Sequence, residues 1–233
     1  MRPRRPSSVW AKRSKPVSST ASRLRISEIF HSLQGESTRV GLPTVFVRLT
    51  GCPLRCVWCD TEYAFSGGEM RGLDSILAEV AGHGAQYVCV TGGEPLAQKP
   101  CLELLRALCD AGYSVSLETS GALDVSGVDP RVSKIMDLKA PGSGEVAKNL
   151  WSNLAHITAS DEIKIILADE ADYLWAREIL QEHALSGRCT VLLSPVSGKL
   201  DPQDLAAWVL RDRLQVRMQL QMHRIIWGDK TGV

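Results

Sequence analysis

Short apolar runs recur along the chain, most of them closed by Gly, Pro, Glu, Thr or Lys, with stretches of helical spacing between them. Thr44-Val45-Phe46-Val47-Arg48-Leu49 is β-branched and apolar on both faces, as in a strand buried within a parallel sheet. A strand over 24–33 is predicted before it, leading into Gln34-Gly35-Glu36, and further strands over 87–90, 113–117, 134–138, 163–167 and 190–193. Helical spacing predicts helices over 73–83, 100–111, 170–183 and 202–211, with a short one over 149–156. Gly112 stops the second of these; Asp201 caps the start of the fourth, with Pro202 at its first position. A last strand-like piece spans 215–221.

Strand and helix alternate about six times, which predicts an α/β fold with a parallel sheet and crossover helices. The count suits a partial (β/α)6 barrel and falls short of a closed eight. In such folds ligands bind at the carboxyl ends of the strands. The strand-end segments Thr91-Gly92-Gly93-Glu94-Pro95, Glu118-Thr119-Ser120-Gly121, Asp137-Leu138-Lys139 and Ser194-Pro195 should therefore face one mouth.

A chain of 233 residues with 44% hydrophobic content can fill one core. Its net charge is +1, but of 27 Lys and Arg residues eight lie in 1–27, a segment without Asp or Glu. The rest carries 19 basic against 26 acidic residues, a net −7, which argues against a nucleic-acid-binding body. Residues 1–23 read as a basic, disordered tail and 24–233 as the single catalytic domain. Pro3, Pro6 and Pro16 speak against an amphipathic transit helix in the tail. No apolar run approaches the ~18 residues of a membrane span, so neither membrane nor nucleic acid is an expected partner.

Composition leaves the chemistry open; the cysteines narrow it. Cys52, Cys56 and Cys59 follow a buried strand at spacing C-x3-C-x2-C. A turn this tight can present three thiolates to one inorganic cluster. Tetrahedral zinc wants four ligands, and no second CxxC or nearby His pair supplies the fourth. A [4Fe–4S] cube held by three thiolates keeps one iron open for a reactant. A structural zinc with a distant ligand, or a chance group of buried cysteines, stays open at this point. Cys89, Cys101, Cys109 and Cys189 sit in strand- or helix-like runs as small hydrophobes, and free thiols point to a reducing cytoplasm.

The Cx3Cx2C spacing resembles the radical S-adenosylmethionine (SAM) superfamily, in which SAM chelates the open iron. The Gly92-Gly93-Glu94 turn is similar to the one that contacts the SAM amino group in that superfamily. Gln34-Gly35-Glu36, Phe46 to Cys52, Trp58-Cys59-Asp60-Thr61, Thr91 to Pro95, Glu118 to Gly121 and the end from His223 to Val233 together resemble the 7-carboxy-7-deazaguanine synthases. The likeness covers residues 26–233. It implies conversion of 6-carboxy-5,6,7,8-tetrahydropterin to 7-carboxy-7-deazaguanine with loss of ammonia, on the way to queuosine. It also implies a [4Fe–4S] cluster, catalytic SAM, Mg2+, a flavodoxin or ferredoxin as electron donor, and a homodimer.

Carried over residue by residue, the resemblance puts the cluster on Cys52, Cys56 and Cys59, and Mg2+ on Thr61. SAM falls to Trp58, Cys59, Asp60, Gly93, Glu94, Asp137, Lys139 and Ser194. The pterin falls to Leu33, Gln34, Gly35, Glu36, Arg48 and Thr91. Arg48 could grip the substrate carboxylate bidentately, or simply form an ion pair at the sheet edge. Where many members have Gly after Gln-Gly-Glu, this chain has Ser37. His223 could line the substrate pocket; His31, His83, His156 and His183 receive no role. One alternative is a glycyl-radical-enzyme activase, disfavoured by Gln34-Gly35-Glu36 and Asp60-Thr61; the other is a non-catalytic iron–sulfur or zinc module, disfavoured by Gly92-Gly93-Glu94.

Overall fold

The computed structural model describes residues 22–228 and 230–233. The basic head proper, 1–21, lies outside the described residues. Arg23 already opens the first strand, and the Ser22 hydroxyl hydrogen-bonds Glu103 at 2.5 Å.

Nine strands form one open sheet in the order β3-β1-β2-β4-β5-β6-β7-β8-β9. The parallel body comprises β2 (Pro43–Leu49), β4 (Tyr87–Gly92), β5 (Ser114–Thr119), β6 (Ser133–Lys139), β7 (Glu162–Leu167) and β8 (Thr190–Pro195). Among the described residues the sheet has two free edges, so the partial barrel stays open. On one side β1 (Arg23–Leu33) runs antiparallel to β2, and β3 (Glu69–Gly72) antiparallel to β1. The cause is local: the connection from Leu33 to Pro43 is too short for a crossover and permits only an antiparallel return.

Alternate side chains along the strands divide between two environments. Val45, Val47, Val88 and Val90 pack with α1 (Leu73–His83) and α2 (Cys101–Asp110). Ile163, Ile165 and Leu193 pack with α3 (Glu170–Glu182) and α4 (Pro202–Arg211). The other face lines a cavity with Phe46, Arg48, Thr91, Glu118, Asp137 and Lys164. The strands are thus apolar toward the helices and substantially polar toward the mouth.

The β5–β6 connection contains no helix; the Asn153 side chain satisfies the backbone of Gly121, Leu123 and Val125. Two sequence expectations change. The helix expected over 149–156 is a 3₁₀ turn, Trp151–His156, because Asn149 is held in the strand-end loop by a two-way bond with the Lys139 backbone. The last strand shrinks to β9 (Arg217–Met218), and the chain then turns into α5 (Met222–Trp227).

Candidate active site

The strand ends open into a cavity of about 560 Å³ that all three loop cysteines line. Two glycines seat the loop. A Cβ on Gly92 would stand 2.3 Å from the Leu49 oxygen, and one on Gly93 would stand 2.4 Å from the Gly51 oxygen. The Glu94 amide donates to Gly51 at 2.7 Å, so the end of β4 docks directly beneath Cys52. The glycines thus permit approach to protein backbone as well as to a ligand.

Cys52, Cys56 and Cys59 are free, half-buried thiols. Burial raises all three above the ordinary cysteine value, while the nearby Lys139 ammonium pulls the other way. Backbone amides of Leu54 and Thr61 bond the sulfurs of Cys52 and Cys59. Among the described residues no three His, Cys, Asp or Glu side chains are grouped as around a single ion. A cube takes each thiolate on a different iron, and amide bonds to the sulfurs are one of the means by which proteins tune such clusters.

Glu94 occupies a different place from the one expected. Its side chain is fully buried, away from the cavity wall, and accepts from Leu96 N (2.9 Å), Thr119 Oγ1 (2.9 Å), Ser120 N (2.7 Å) and Ser120 Oγ (2.5 Å). It ties the ends of β4 and β5 together, and Gly92 and Gly93 are what face the cavity. Ser194 is likewise buried behind the wall, its hydroxyl without a hydrogen-bond partner, while Val196 and Ser197 reach the cavity.

The other expected SAM and metal residues line the cavity. Lys199 lies 5.4 Å over the Trp58 ring. The Thr61 hydroxyl donates to Asp60 at 2.7 Å, and Asp137 pairs with Lys139 at 3.1 Å.

Leu33, Gln34, Gly35 and Glu36 also line the cavity. Gln34 donates to Glu118 at 3.2 Å, and Thr91 donates to the same carboxylate at 2.8 Å. Glu36 accepts from Lys164 (2.6 Å) and from Gln221 (2.7 Å). Burial alone would raise its pKa, but the Lys164 charge and hydrogen bond, with help from Gln221, hold it down at about 2. Burial likewise disfavours the ammonium of Lys164, yet Glu36 and Asp137 raise its pKa well above the ordinary lysine value.

Arg48 forms the ion pair and also lines the cavity. Its Nε donates to Glu28 at 2.7 Å across the β1–β2 pair, and its guanidinium lies between Phe30 (5.7 Å) and Tyr63 (5.8 Å) on the cavity wall. Ser37 explains the expectation of glycine: it is buried with φ +68°, its amide and carbonyl clamped by the Gln219 side chain at 2.8 Å each.

Sequence reasoning gave no role to Lys164, Glu28, Gln221 or Lys199, and left Glu118 inside a motif. A charge in the apolar run of β7 and an acid at the end of β5 were available signals for Lys164 and Glu118. Gln221 and Glu28 carried none, because only the folded C-terminus brings Gln221 to the cavity and only the antiparallel β1–β2 pair sets Glu28 beside Arg48.

The profile of the Radical SAM superfamily matches residues 46–141. The 7-carboxy-7-deazaguanine synthase of Chlorobaculum tepidum is 49% identical over 92% of this chain and all of its own length. The chain belongs to the 7-carboxy-7-deazaguanine synthase family.

The synthase of Koribacter versatilis agrees at 44% identity over 89% of this chain and 99% of its own. The crystal structure of QueE from Escherichia coli superposes with TM-score 0.71 at 26% identity, covering 86% of this chain and 95% of that one. SuiB from Streptococcus suis bound to precursor peptide SuiA shares the fold alone, at TM-score 0.56 and 12% identity over 73% of this chain and 46% of its own. Members of this family are radical SAM lyases, so a [4Fe–4S] cluster and SAM are the implied cofactors. The residues fit them: free thiols on one loop with amides at the sulfurs, and glycines at the adjoining strand end.

Proposed function

We propose that this protein converts 6-carboxy-5,6,7,8-tetrahydropterin to 7-carboxy-7-deazaguanine with loss of ammonia, within the biosynthesis of queuosine and other 7-deazapurines. The observation that carries this reading is one cavity lined by the three cysteines together with Gln34-Gly35-Glu36 and Arg48. Its volume of about 560 Å³ lies in the range of small-molecule sites. When bound, the cluster and SAM would supply radical hydrogen-atom transfer to and from the substrate.

Cys52, Cys56 and Cys59 would hold the cluster. Trp58, Asp60, Gly93, Asp137 and Lys139 would contact SAM, with Glu94 fixing the turn from behind. The Nη groups of Arg48 make no hydrogen bond among the described residues, which suits a bidentate grip on the substrate carboxylate. Glu36, held ionised, accepts only, and so favours the N–H donors of a pterin edge. Gln34 and Thr91 orient Glu118 for the same ring. Thr61, whose hydroxyl donates to Asp60, would hold Mg2+, which would supply positive charge to the substrate carboxylate.

A flavodoxin or ferredoxin would reduce the cluster. Val57, 65% exposed between Cys56 and Trp58, brings the loop to the surface for such a partner. Residues 24–233 act as one catalytic domain, in a homodimer and in the cytoplasm. Among the described residues no helix is long and apolar enough to cross a membrane.

Anaerobic reconstitution with iron and sulfide, followed by SAM, dithionite and carboxytetrahydropterin, tests the reading. The deazaguanine chromophore should develop, and Cys56→Ala should abolish both cluster absorbance and product. A loaded enzyme that cleaves SAM but leaves the pterin intact would refute it.

A further inference from the structure

Four buried charges alternate across the cavity floor. Lys139 lies 3.1 Å from Asp137, Asp137 lies 3.5 Å from Lys164, and Lys164 lies 2.6 Å from Glu36. All four line the cavity, and none of their side chains is more than 16% exposed. Lys139 and Asp137 belong to the end of β6, beside the cysteine loop, and Glu36 to the loop after β1. Lys164 stands between them on β7, its neighbours Ile163 and Ile165 turned into the apolar cluster beneath α3.

We propose that Lys164 is a positioning residue for the substrate. Anchored on Asp137, its ammonium holds the Glu36 carboxylate in place and ionised, so that the loop after β1 presents a fixed acceptor to the pterin. This role rests on the pterin reading above.

The physical case is one of compensation. Glu36 has two protein partners, one on each oxygen: Lys164 on Oε2 and Gln221 on Oε1. Gln221 is neutral and also reaches toward Asp60 at 3.4 Å, so it offsets no charge. Without the ammonium, Glu36 and Asp137 would remain as two carboxylates with no cation between them. A buried charge in that position either takes up a proton or swings toward water. In either case an acceptor-only group is lost from the wall that selects N–H donors. Asp137 keeps Lys139 as its second cation, so the SAM side suffers less than the pterin side.

The test is a double-mutant cycle on the cluster-loaded enzyme using Lys164→Met, Glu36→Gln and the combined variant. The probe is carboxytetrahydropterin itself, its Kd measured by equilibrium dialysis in the unreduced enzyme with SAM, and its KM and kcat after reduction. Lys164→Met should raise Kd and KM about ten- to hundredfold, as expected for a buried charge deprived of its partner. The Kd for SAM should move less than about threefold, a margin within ordinary context effects. The combined variant should bind the pterin within about threefold of Glu36→Gln alone, because both substitutions then remove one interaction.

An unchanged pterin Kd in Lys164→Met, or a combined loss equal to the product of the single losses, overturns the proposal. Should Lys164→Met fail to fold, the combined variant, which restores charge balance, carries the comparison with Glu36→Gln. A loaded wild-type enzyme that does not convert the pterin sinks the reading itself and this role with it. Conversion by wild type with an additive cycle sinks the role alone.

Discussion

Gly35 sits against the His223 ring so closely that a β-carbon would stand 2.3 Å from Nδ1. The Gly35 carbonyl also accepts from Met222 N at 3.0 Å. The loop after β1 and the C-terminal α5 are therefore seated as one unit. Gly35→Ala should push the His223 ring outward and raise the substrate KM about tenfold or more, an effect typical of small displacements at a site. The melting temperature should change little. Kinetics alongside thermal melting check this; an unchanged KM contradicts the contact.

The Arg48 guanidinium is held by Glu28 and two rings, which orients its planar fork. Arg48→Lys keeps the charge but loses the fork, and should weaken substrate binding about tenfold. Arg48→Ala should weaken it by about a hundredfold or more. Equilibrium dialysis with the pterin checks the order, and equal losses would argue for charge alone.

Glu94 is an internal tie. Replacing one of its oxygens with an amide nitrogen puts a donor against the donors of Thr119, Ser120 and Leu96. Glu94→Gln should cost about 2–4 kcal/mol in chemical denaturation, in line with breaking charge-assisted buried hydrogen bonds. It should also lower cluster content, because the turn beneath Cys52 loosens. Full stability with impaired SAM binding alone would assign Glu94 to the ligand.

Ser37 occupies a left-handed backbone conformation that costs a residue with a side chain about 1–2 kcal/mol. Ser37→Gly should therefore stay within about 1 kcal/mol of wild type, relief of strain being offset by greater freedom in the unfolded chain. A β-branched residue fits this region worse, and Ser37→Val should destabilise by about 2 kcal/mol. It also loses the Ser37 Oγ bond to Arg39 N at 3.0 Å. Urea denaturation of the two variants checks the difference.

Glu36 titrates at about 2 in the folded protein against an ordinary value of 4.5. A carboxyl depressed in this way contributes stability that is present above pH 4.5 and lost as pH falls toward 2. Glu36→Gln should remove that share, on the order of 3 kcal/mol, and flatten the stability profile between those two pH values. Denaturation at successive pH values measures it, and parallel slopes for wild type and variant would contradict the pairing.

Much of the architecture was determined by the sequence alone, because it is written in local patterns. Alternating apolar runs and helical spacing specified the parallel strands and the four main helices, and C-x3-C-x2-C with Gly92-Gly93-Glu94 specified the chemistry. Tertiary structure decided what depends on distant segments meeting. It turned Glu94 inward, since the hydroxyls that occupy it come from the next strand. It set β1 antiparallel, since a short connection allows no crossover. It placed Lys164 between Glu36 and Asp137, three positions far apart in the chain. A lone charge in a strand shows that something must compensate it, but only the packed sheet shows which partner does.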